Sequence, residues 1–566
     1  MKTPAVIVLG QTSVTVARQL MQALPNATLY GLAGRTIEVD VSFTDFGATL
    51  RELFADGTPI IGLCAAGILI RTIAPLLSDK RYEPPVLAVA EDGSAVVPLL
   101  GGLHGVNDLA RQIAAVLDVQ PAITTTGDIR FRTTLLNPPS GYQLVNPDDA
   151  KTFISDLLAG STVRLEGAAP WLSESKLPIA HDAPLTLQIT EHRGCPAPDR
   201  LVYHPATLAI AVSHLSESVV EVVQKILEES DLAIASVAGI FAPADEMGHP
   251  ALLSLSQSLQ VPIRFLNLSN AEEIALAAAG ESSQLLATQQ TSELSCAIAL
   301  ASQPIEVNTI GKPRGQLTIV GTGPGGEKWM SPEVKDVLRS ATDWVGYKFY
   351  LDLAGSLREG QQRHDSDNRE ELDRARFALD LAATGKSVAV VSSGDPGIFA
   401  MAAAVFEVLE HDAKPEWLRL DIQVAPGISA MQAAAAQIGA PLGHDFCALS
   451  LSDILKPWSV IEQRIAAAAQ ADLVMAFYNP ISKQRTWQLG KAREILLQWR
   501  SPNTPIVLAR NLGRPGQSVR VCTLEQFSPE EVDMRTVVLV GSSQTRSISR
   551  PDGGVWVYTP RHYKSW

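Results

Sequence analysis

The sequence predicts a multi-domain α/β protein, and three observations carry that prediction. Short Val/Ile/Leu runs alternate with amphipathic helical stretches, the pattern of sheets covered by helices. Two of these runs end in glycine-rich turns. Leu317-Thr318-Ile319-Val320-Gly321-Thr322-Gly323-Pro324-Gly325-Gly326 leads to a helix opened by Ser331 and Pro332, and Ser387–Val391 runs into Ser393-Gly394-Asp395-Pro396-Gly397 and an Ala-rich helix. Turns of this kind aim backbone N–H groups at the carboxyl edge of a parallel sheet, where ligands bind. Finally, 566 residues are too many for one hydrophobic core.

Taken in order, residues 1–140 read as a small α/β domain with strands Ala5–Leu9, Pro59–Cys64, Val86–Ala90 and Ala95–Pro98. The turn Ala65-Ala66-Gly67 opens a helix carrying Arg71, and Gly101-Gly102 leads to a helix from Asn107. Residues 141–204, richer in Pro, Ser and charge, read as a bridging domain. Residues 205–303 form a third unit, with strand Leu208–Val212, helix Ser216–Glu229 and strand Ile263–Leu266. The stretch 304–315 has the prolines, glycines and missing apolar period of a linker. Residues 316–566 form a second α/β body with strands Leu317–Val320, Trp344–Gly346, Val388–Val391, Ile422–Val424, Leu473–Phe477, Ile506–Ala509 and Thr536–Val540. Helices alternate with strands up to about residue 440, as in a parallel sheet; the later strands suit a mixed one.

Composition narrows the function. A net charge of −14 argues against nucleic acid as a partner, whose phosphates demand a basic face. The apolar run Ile60–Ile70 stops at Arg71, far short of a membrane span. Five separated cysteines include no CxxC pair, so neither a metal site nor a disulfide framework is expected, and a reduced cytoplasm is the simplest location. The N-terminus lacks signal-peptide architecture.

Gly321, Gly323 and Gly326 fit GxGxxG, with Asp343 about twenty residues on. A dinucleotide site is nevertheless not expected. Asp343 precedes its strand rather than ending it, and Pro324 removes a backbone donor from the turn.

Gly321-Thr322-Gly323-Pro324-Gly325, Ser393-Gly394-Asp395-Pro396, Ala425-Pro426-Gly427-Ile428-Ser429-Ala430 and Phe477-Tyr478-Asn479-Pro480 resemble, in order and spacing, the tetrapyrrole methylases. Val345-Gly346-Tyr347-Lys348, Ser450-Leu451-Ser452-Asp453, Tyr478–Lys483 and Ala509-Arg510-Asn511-Leu512-Gly513-Arg514 resemble the precorrin-3B C(17)-methyltransferase branch of cobalamin biosynthesis. The resemblance implies a body of two α/β domains and methylation of C-17 by S-adenosylmethionine with contraction of the ring. It also implies a homodimer and a tetrapyrrole substrate rich in acetate and propionate arms.

By the same resemblance Pro324, Ser393, Gly394, Asp395, Ile398, Ser429, Ala430 and Asn479 line the cofactor pocket, with Tyr478 beside them. The acidic substrate calls for cations, and Lys348, Lys483, Arg485, Arg510 and Arg514 are the candidates. Asp453 and His444 are candidates for proton transfer in the ring contraction. Whether the substrate carries cobalt stays open; any metal would ride on the ring.

Gly67–Pro75, Leu99–Gly102 with Asn107–Ala110, and Ile123–Asp128 resemble the cobalt-precorrin-5A hydrolases, over roughly residues 1–300. Two cationic motifs of that family are replaced here, one by Val212-Ser213-His214-Leu215-Ser216 and the other by Phe241–Glu246. The N-terminal half is therefore read either as a lactone hydrolase or as a non-catalytic tetrapyrrole-binding module.

Overall fold

The computed structural model describes residues 3–24, 27–80, 82–291, 294–358, 360–367, 370–482 and 484–562. The chain divides into two compact units at Pro313/Arg314, with Arg358–Gly360 grouped apart from the second.

The first unit contains three sheets. Six strands order as Val41–Phe43, Thr28–Leu32, Ala5–Val8, Ile60–Leu63, Val86–Val89 and Val96–Leu100, all neighbours parallel except the last pair. Ala5–Val8, Ile60–Leu63 and Val86–Val89 are buried at every position, because helices cover both faces. Thr28–Leu32 and Val41–Phe43 went unforeseen: Thr28, Gly31 and Ser42 break the apolar runs.

Residues 142–205 supply a four-stranded sheet ordered Tyr142–Leu144, Arg200–Pro205, Leu185–Ile189, Val163–Glu166, with helix Ala150–Leu158. Its core takes in Phe131 and Leu135 from the preceding stretch, and the buried Tyr203 hydroxyl donates to the Leu135 carbonyl at 2.7 Å. A third sheet orders Ile263–Leu266, Val237–Pro243, Leu208–Ser213, Ser295–Leu300 and Gln284–Gln290, parallel over the first three strands and antiparallel beyond.

The stretch expected as a linker is packed down as far as Lys312. Ile305, Val307 and Ile310 sit on the alanine-rich face of the third sheet. The Arg264 guanidinium donates to the carbonyls of Asn308, Ile310 and Gly311 at 2.8–3.0 Å. Polarity alone reads this segment as loose because its anchor, Arg264, lies some forty residues earlier.

The second unit holds the two domains that matter for the site. The first is a fully parallel five-stranded sheet ordered Gln362–Ser366, Asp343–Tyr347, Ser387–Ser392, Gln316–Gly321, Asp421–Ala425. Ser331 caps helix Pro332–Ser340 by accepting from the Val334 N–H, as the Ser-Pro pair predicts. The second domain is a mixed sheet ordered Phe446–Ser450, Val474–Tyr478, Thr536–Val540, Pro505–Arg510, Ser518–Thr523. A small three-stranded sheet, Gly439–Ala440, Val555–Tyr558 and Arg546–Ser549, flanks it.

Candidate active site

The glycine turns meet because nothing larger fits between them. Gly323 and Gly394 exchange backbone hydrogen bonds: the Gly394 N–H donates at 2.8 Å and the Gly323 N–H at 3.2 Å. A Cβ on Gly427 would lie 2.1 Å from the Gly394 carbonyl oxygen and 2.5 Å from that of Gly321. Three loops, each following a strand of the parallel sheet, thus close on one another backbone to backbone. Asp395 fixes the arrangement, one carboxylate oxygen accepting from the Gly397 N–H at 2.9 Å and the other from Gly427 at 3.2 Å.

The mixed-sheet domain completes the cavity. Tyr478 ends strand Val474–Tyr478, and its hydroxyl accepts from the Met431 N–H at 3.1 Å, at the start of helix Ala430–Ile438. Ser429 and Gln432 form a capping box on that helix. Asn479 follows in a left-handed conformation (φ 50°), its amide donating to Ser450 Oγ at 3.1 Å. Arg514 crosses to the first domain, donating from Nε to the Pro324 carbonyl and from Nη2 to Ser393 Oγ, both at 2.7 Å. Gly325 approaches so close to Gly513 that a Cβ would sit 2.1 Å from the Gly513 oxygen.

The result is a cavity of about 220 Å³ whose lining includes Pro324, Ser393, Gly394, Asp395, Ile398, Ser429, Ala430, Tyr478 and Asn479. All eight residues expected around the cofactor therefore share one wall system. Burial pushes the Tyr478 and Tyr350 hydroxyls above the ordinary phenol range, so both remain protonated donors at neutral pH. Burial also lowers the Arg514 pKa.

The expected cations separate. Arg514 lines the cavity. Arg485 is buried at 5 % exposure, but it holds the Asn479 carbonyl at 2.8 Å from behind and is not in the lining. Arg510 is spent on Asp533 at 2.8 Å, and Lys348 is exposed at the start of helix Lys348–Ala354; neither lines the cavity. Lys483 lies outside the described residues. Both proton-transfer candidates are also outside the lining. Asp453 accepts from the Gln488 amide at 2.8 Å, and His444 accepts at Nδ1 from the Asp445 N–H at 2.8 Å in a turn.

Sequence reasoning missed Tyr350, Glu371, Arg374, Phe399, Met534 and Arg535, which line the same cavity. One signal was available. Arg374 falls in phase with Ala378 and Ala382 on the buried face of helix Glu371–Ala383, an improbable place for an idle arginine.

The first unit also brings its motifs together. The Asn107 amide donates to Asp128 Oδ2 at 2.7 Å and to Thr125 Oγ1 at 3.1 Å, and Arg111 pairs with Asp128. Arg71 is exposed in the last turn of helix Ala66–Ile73, not at its start. The two replaced motifs touch: the His214 N–H donates to Glu246 Oε1 at 2.7 Å, and burial raises the Glu246 pKa.

The tetrapyrrole (corrin/porphyrin) methylase pattern matches residues 316–528. A precorrin-3B C(17)-methyltransferase from Sinorhizobium is 50% identical over 249 residues, 44% of this chain and 97% of that protein. This chain belongs to the tetrapyrrole methylases. The cobalamin biosynthesis protein CobIJ of Mycobacterium bovis is 51% identical over 253 residues, 44% of this chain; the match spans only about half of that relative, 48% of its length. A probable cobalt-factor III C(17)-methyltransferase of Salmonella typhimurium is 39% identical over 40% of this chain and 93% of that protein. In this methylase chain, residues 48–128 match a second pattern, the cobalamin synthesis G N-terminal region. Among the described residues no helix is long and apolar enough to cross a membrane, and no group of three or more His, Cys, Asp or Glu is placed to hold a metal ion.

Proposed function

We propose that the second unit transfers a methyl group from S-adenosylmethionine to C-17 of precorrin-3B and contracts the ring to precorrin-4 in cobalamin biosynthesis. The observation that carries the reading is the convergence of the eight family-motif residues, from four separate turns, on one cavity. The residues present fit the cofactor. A Cβ on Gly394 would meet nothing within 4 Å, so the wall there is flat and open. Ile398, Ala430 and Leu512 offer apolar surface, while Asp395, Ser393 and Asn479 offer polar contacts for ribose and amino groups.

The cofactor supplies an electrophilic methyl on a sulfonium; the protein supplies alignment, which is most of what such a transfer needs. Asp395 holds two of the turns that shape the cavity, and Arg514 ties the turn at Pro324 to the mixed-sheet domain. Tyr478 sets the start of helix Ala430–Ile438 against the same wall. The metal-free substrate is favoured because identity is 50% to the precorrin-3B enzyme and 39% to the cobalt-factor III relative. Five free, separated thiols suit a cytoplasmic protein, and the homodimer follows from the family resemblance.

Turnover with S-adenosylmethionine and metal-free precorrin-3B, read by mass spectrometry and NMR, tests the proposal. One added methyl at C-17 with a contracted ring is expected. Cofactor binding without methylation would reassign the substrate.

For the first unit a tetrapyrrole-binding module is the second reading, favoured by the His214–Glu246 contact where the hydrolase family carries cations. Release of a two-carbon aldehyde from a cobalt-precorrin-5A substrate would overturn it.

A further inference from the structure

We propose that Arg374, together with Arg514 and Arg535, forms a carboxylate-binding wall of the second unit's cavity; the proposal rests on the methyltransferase reading above. Arg374 is 4 % exposed yet lines the cavity. Its guanidinium donates to Ser366 Oγ at 2.6 Å, to the Asp367 carbonyl and to Met401 Sδ at 3.1 Å. These acceptors are all neutral, and five N–H donors meet only three of them. Burying a cation without an anion is costly, and neutral acceptors offset only part of that cost.

Arg18, Arg376 and Arg510 rest on the carboxylates of Asp40, Asp412 and Asp533, and the buried Arg264 and Arg485 rest on backbone carbonyls outside the cavity. Among the described residues Arg374, Arg514 and Arg535 have no carboxylate at ion-pair distance. Arg514 spends its hydrogen bonds on the Pro324 carbonyl and Ser393 hydroxyl and lies over the Phe349 ring at 5.2 Å. Arg535 is exposed, belongs to the lining and lies within electrostatic reach of Arg514. Tyr350 lies within electrostatic reach of both Arg374 and Arg514 and presents a protonated hydroxyl. Two acids share the lining. Asp395 already accepts from two backbone N–H groups; Glu371 is exposed and, with Glu370 and Asp367, lies within electrostatic reach of Arg374 without coming to ion-pair distance. Three guanidiniums against these two acids, in a chain of net charge −14, make this wall a deliberate anion site.

The chemistry that fits is a carboxylate, which a guanidinium fork binds bidentately. It has two sources in the proposed reaction, an acetate or propionate arm of the macrocycle and the methionyl end of the cofactor. Equilibrium binding of S-adenosylhomocysteine by calorimetry, and of precorrin-3B to the preformed enzyme–S-adenosylhomocysteine complex, separates them without turnover. For Arg374→Gln we expect precorrin-3B binding weakened by about tenfold or more with S-adenosylhomocysteine affinity unchanged, and partial recovery in Arg374→Lys. A comparable loss confined to S-adenosylhomocysteine assigns the wall to the cofactor's carboxylate instead. Loss of neither, in a variant that melts like wild type, overturns the proposal.

Arg376→Gln, on the outer face of the same helix, controls for general charge removal. Should Arg374→Gln not fold, the exposed Arg535→Gln carries the test. Weaker binding of either carboxylate ligand is expected, and unchanged binding of both overturns the wall. Wild-type protein that fails to bind S-adenosylhomocysteine would remove the methyltransferase reading itself, an outcome distinct from variants that bind normally.

Discussion

Two glycines of the turns that shape the cavity serve opposite ends, and a single methyl group distinguishes them. Gly427 faces backbone oxygens 2.1 and 2.5 Å from where a Cβ would sit, so Gly427→Ala must push the three turns apart. A stability loss of about 1–3 kcal/mol, with weakened cofactor binding, is expected. Gly394 has φ 73° but open space beyond its Cα, so Gly394→Ala pays only local strain of about 1–2 kcal/mol while its methyl enters the cavity. Denaturation alongside S-adenosylhomocysteine calorimetry should therefore show a larger ratio of binding loss to stability loss for Gly394→Ala. The reverse ordering would mean that Gly394 does not face the ligand.

Asp343 shows how a motif match misleads at this scale. Its spacing from Gly321 imitates a dinucleotide site, yet it begins strand Asp343–Tyr347, buried, at the end of the sheet opposite the glycine turns. Burial pushes its carboxyl up, but hydrogen bonds from His364, Thr342 and Lys386 outweigh this and hold it below the usual carboxylate range. The stability it contributes is thus complete above the unfolded carboxylate's pKa of about 3.9 and is lost as pH falls through the lower folded value. Asp343→Asn should cost about 1–3 kcal/mol at neutral pH, and the gap to wild type should narrow below about pH 4. A gap that stays constant in urea titrations from neutral to acid pH would contradict the network's role. The eight cavity-lining residues were legible because the motifs that carry the family resemblance are contiguous turns. Tyr350 was not, and Arg374 was only through its helical phase, because their place in the cavity depends on three-dimensional packing.

Elements were legible in proportion to how continuous their apolar runs are. Ile263–Leu266 and Thr536–Val540 fall at the bounds their composition predicts, and Leu208–Ser213 differs by one residue. Edge strands such as Gln362–Ser366 and Ser518–Thr523 escaped detection because one face meets solvent and carries polar residues. The stretch 304–315 is the instructive case, since Arg264 reaches three of its carbonyls from a neighbouring strand. Arg264→Met should cost about 1–3 kcal/mol, since it leaves those carbonyls short of donors, and should expose the stretch to limited proteolysis. An unchanged cleavage pattern would show that Ile305, Val307 and Ile310 hold the segment by apolar packing alone.

At the scale of the whole chain, the methylase pattern at residues 316–528 begins just after the division at Pro313/Arg314. The Sinorhizobium enzyme is matched over 97% of its length by less than half of this chain. The cavity here is built wholly from residues 324–537. Residues 314–566 expressed alone should fold cooperatively, bind S-adenosylhomocysteine with affinity within about twofold of the full chain, and methylate at a comparable kcat. A fall in KM performance at unchanged kcat would point instead to a first unit that delivers or retains the macrocycle, because lost delivery lowers substrate capture and leaves chemistry intact. A fall in kcat with intact cofactor binding would mean that the first unit contributes to the reacting geometry. Steady-state kinetics of the two proteins side by side, with precorrin-3B varied at saturating S-adenosylmethionine, distinguishes these outcomes, and the self-contained cavity predicts the first.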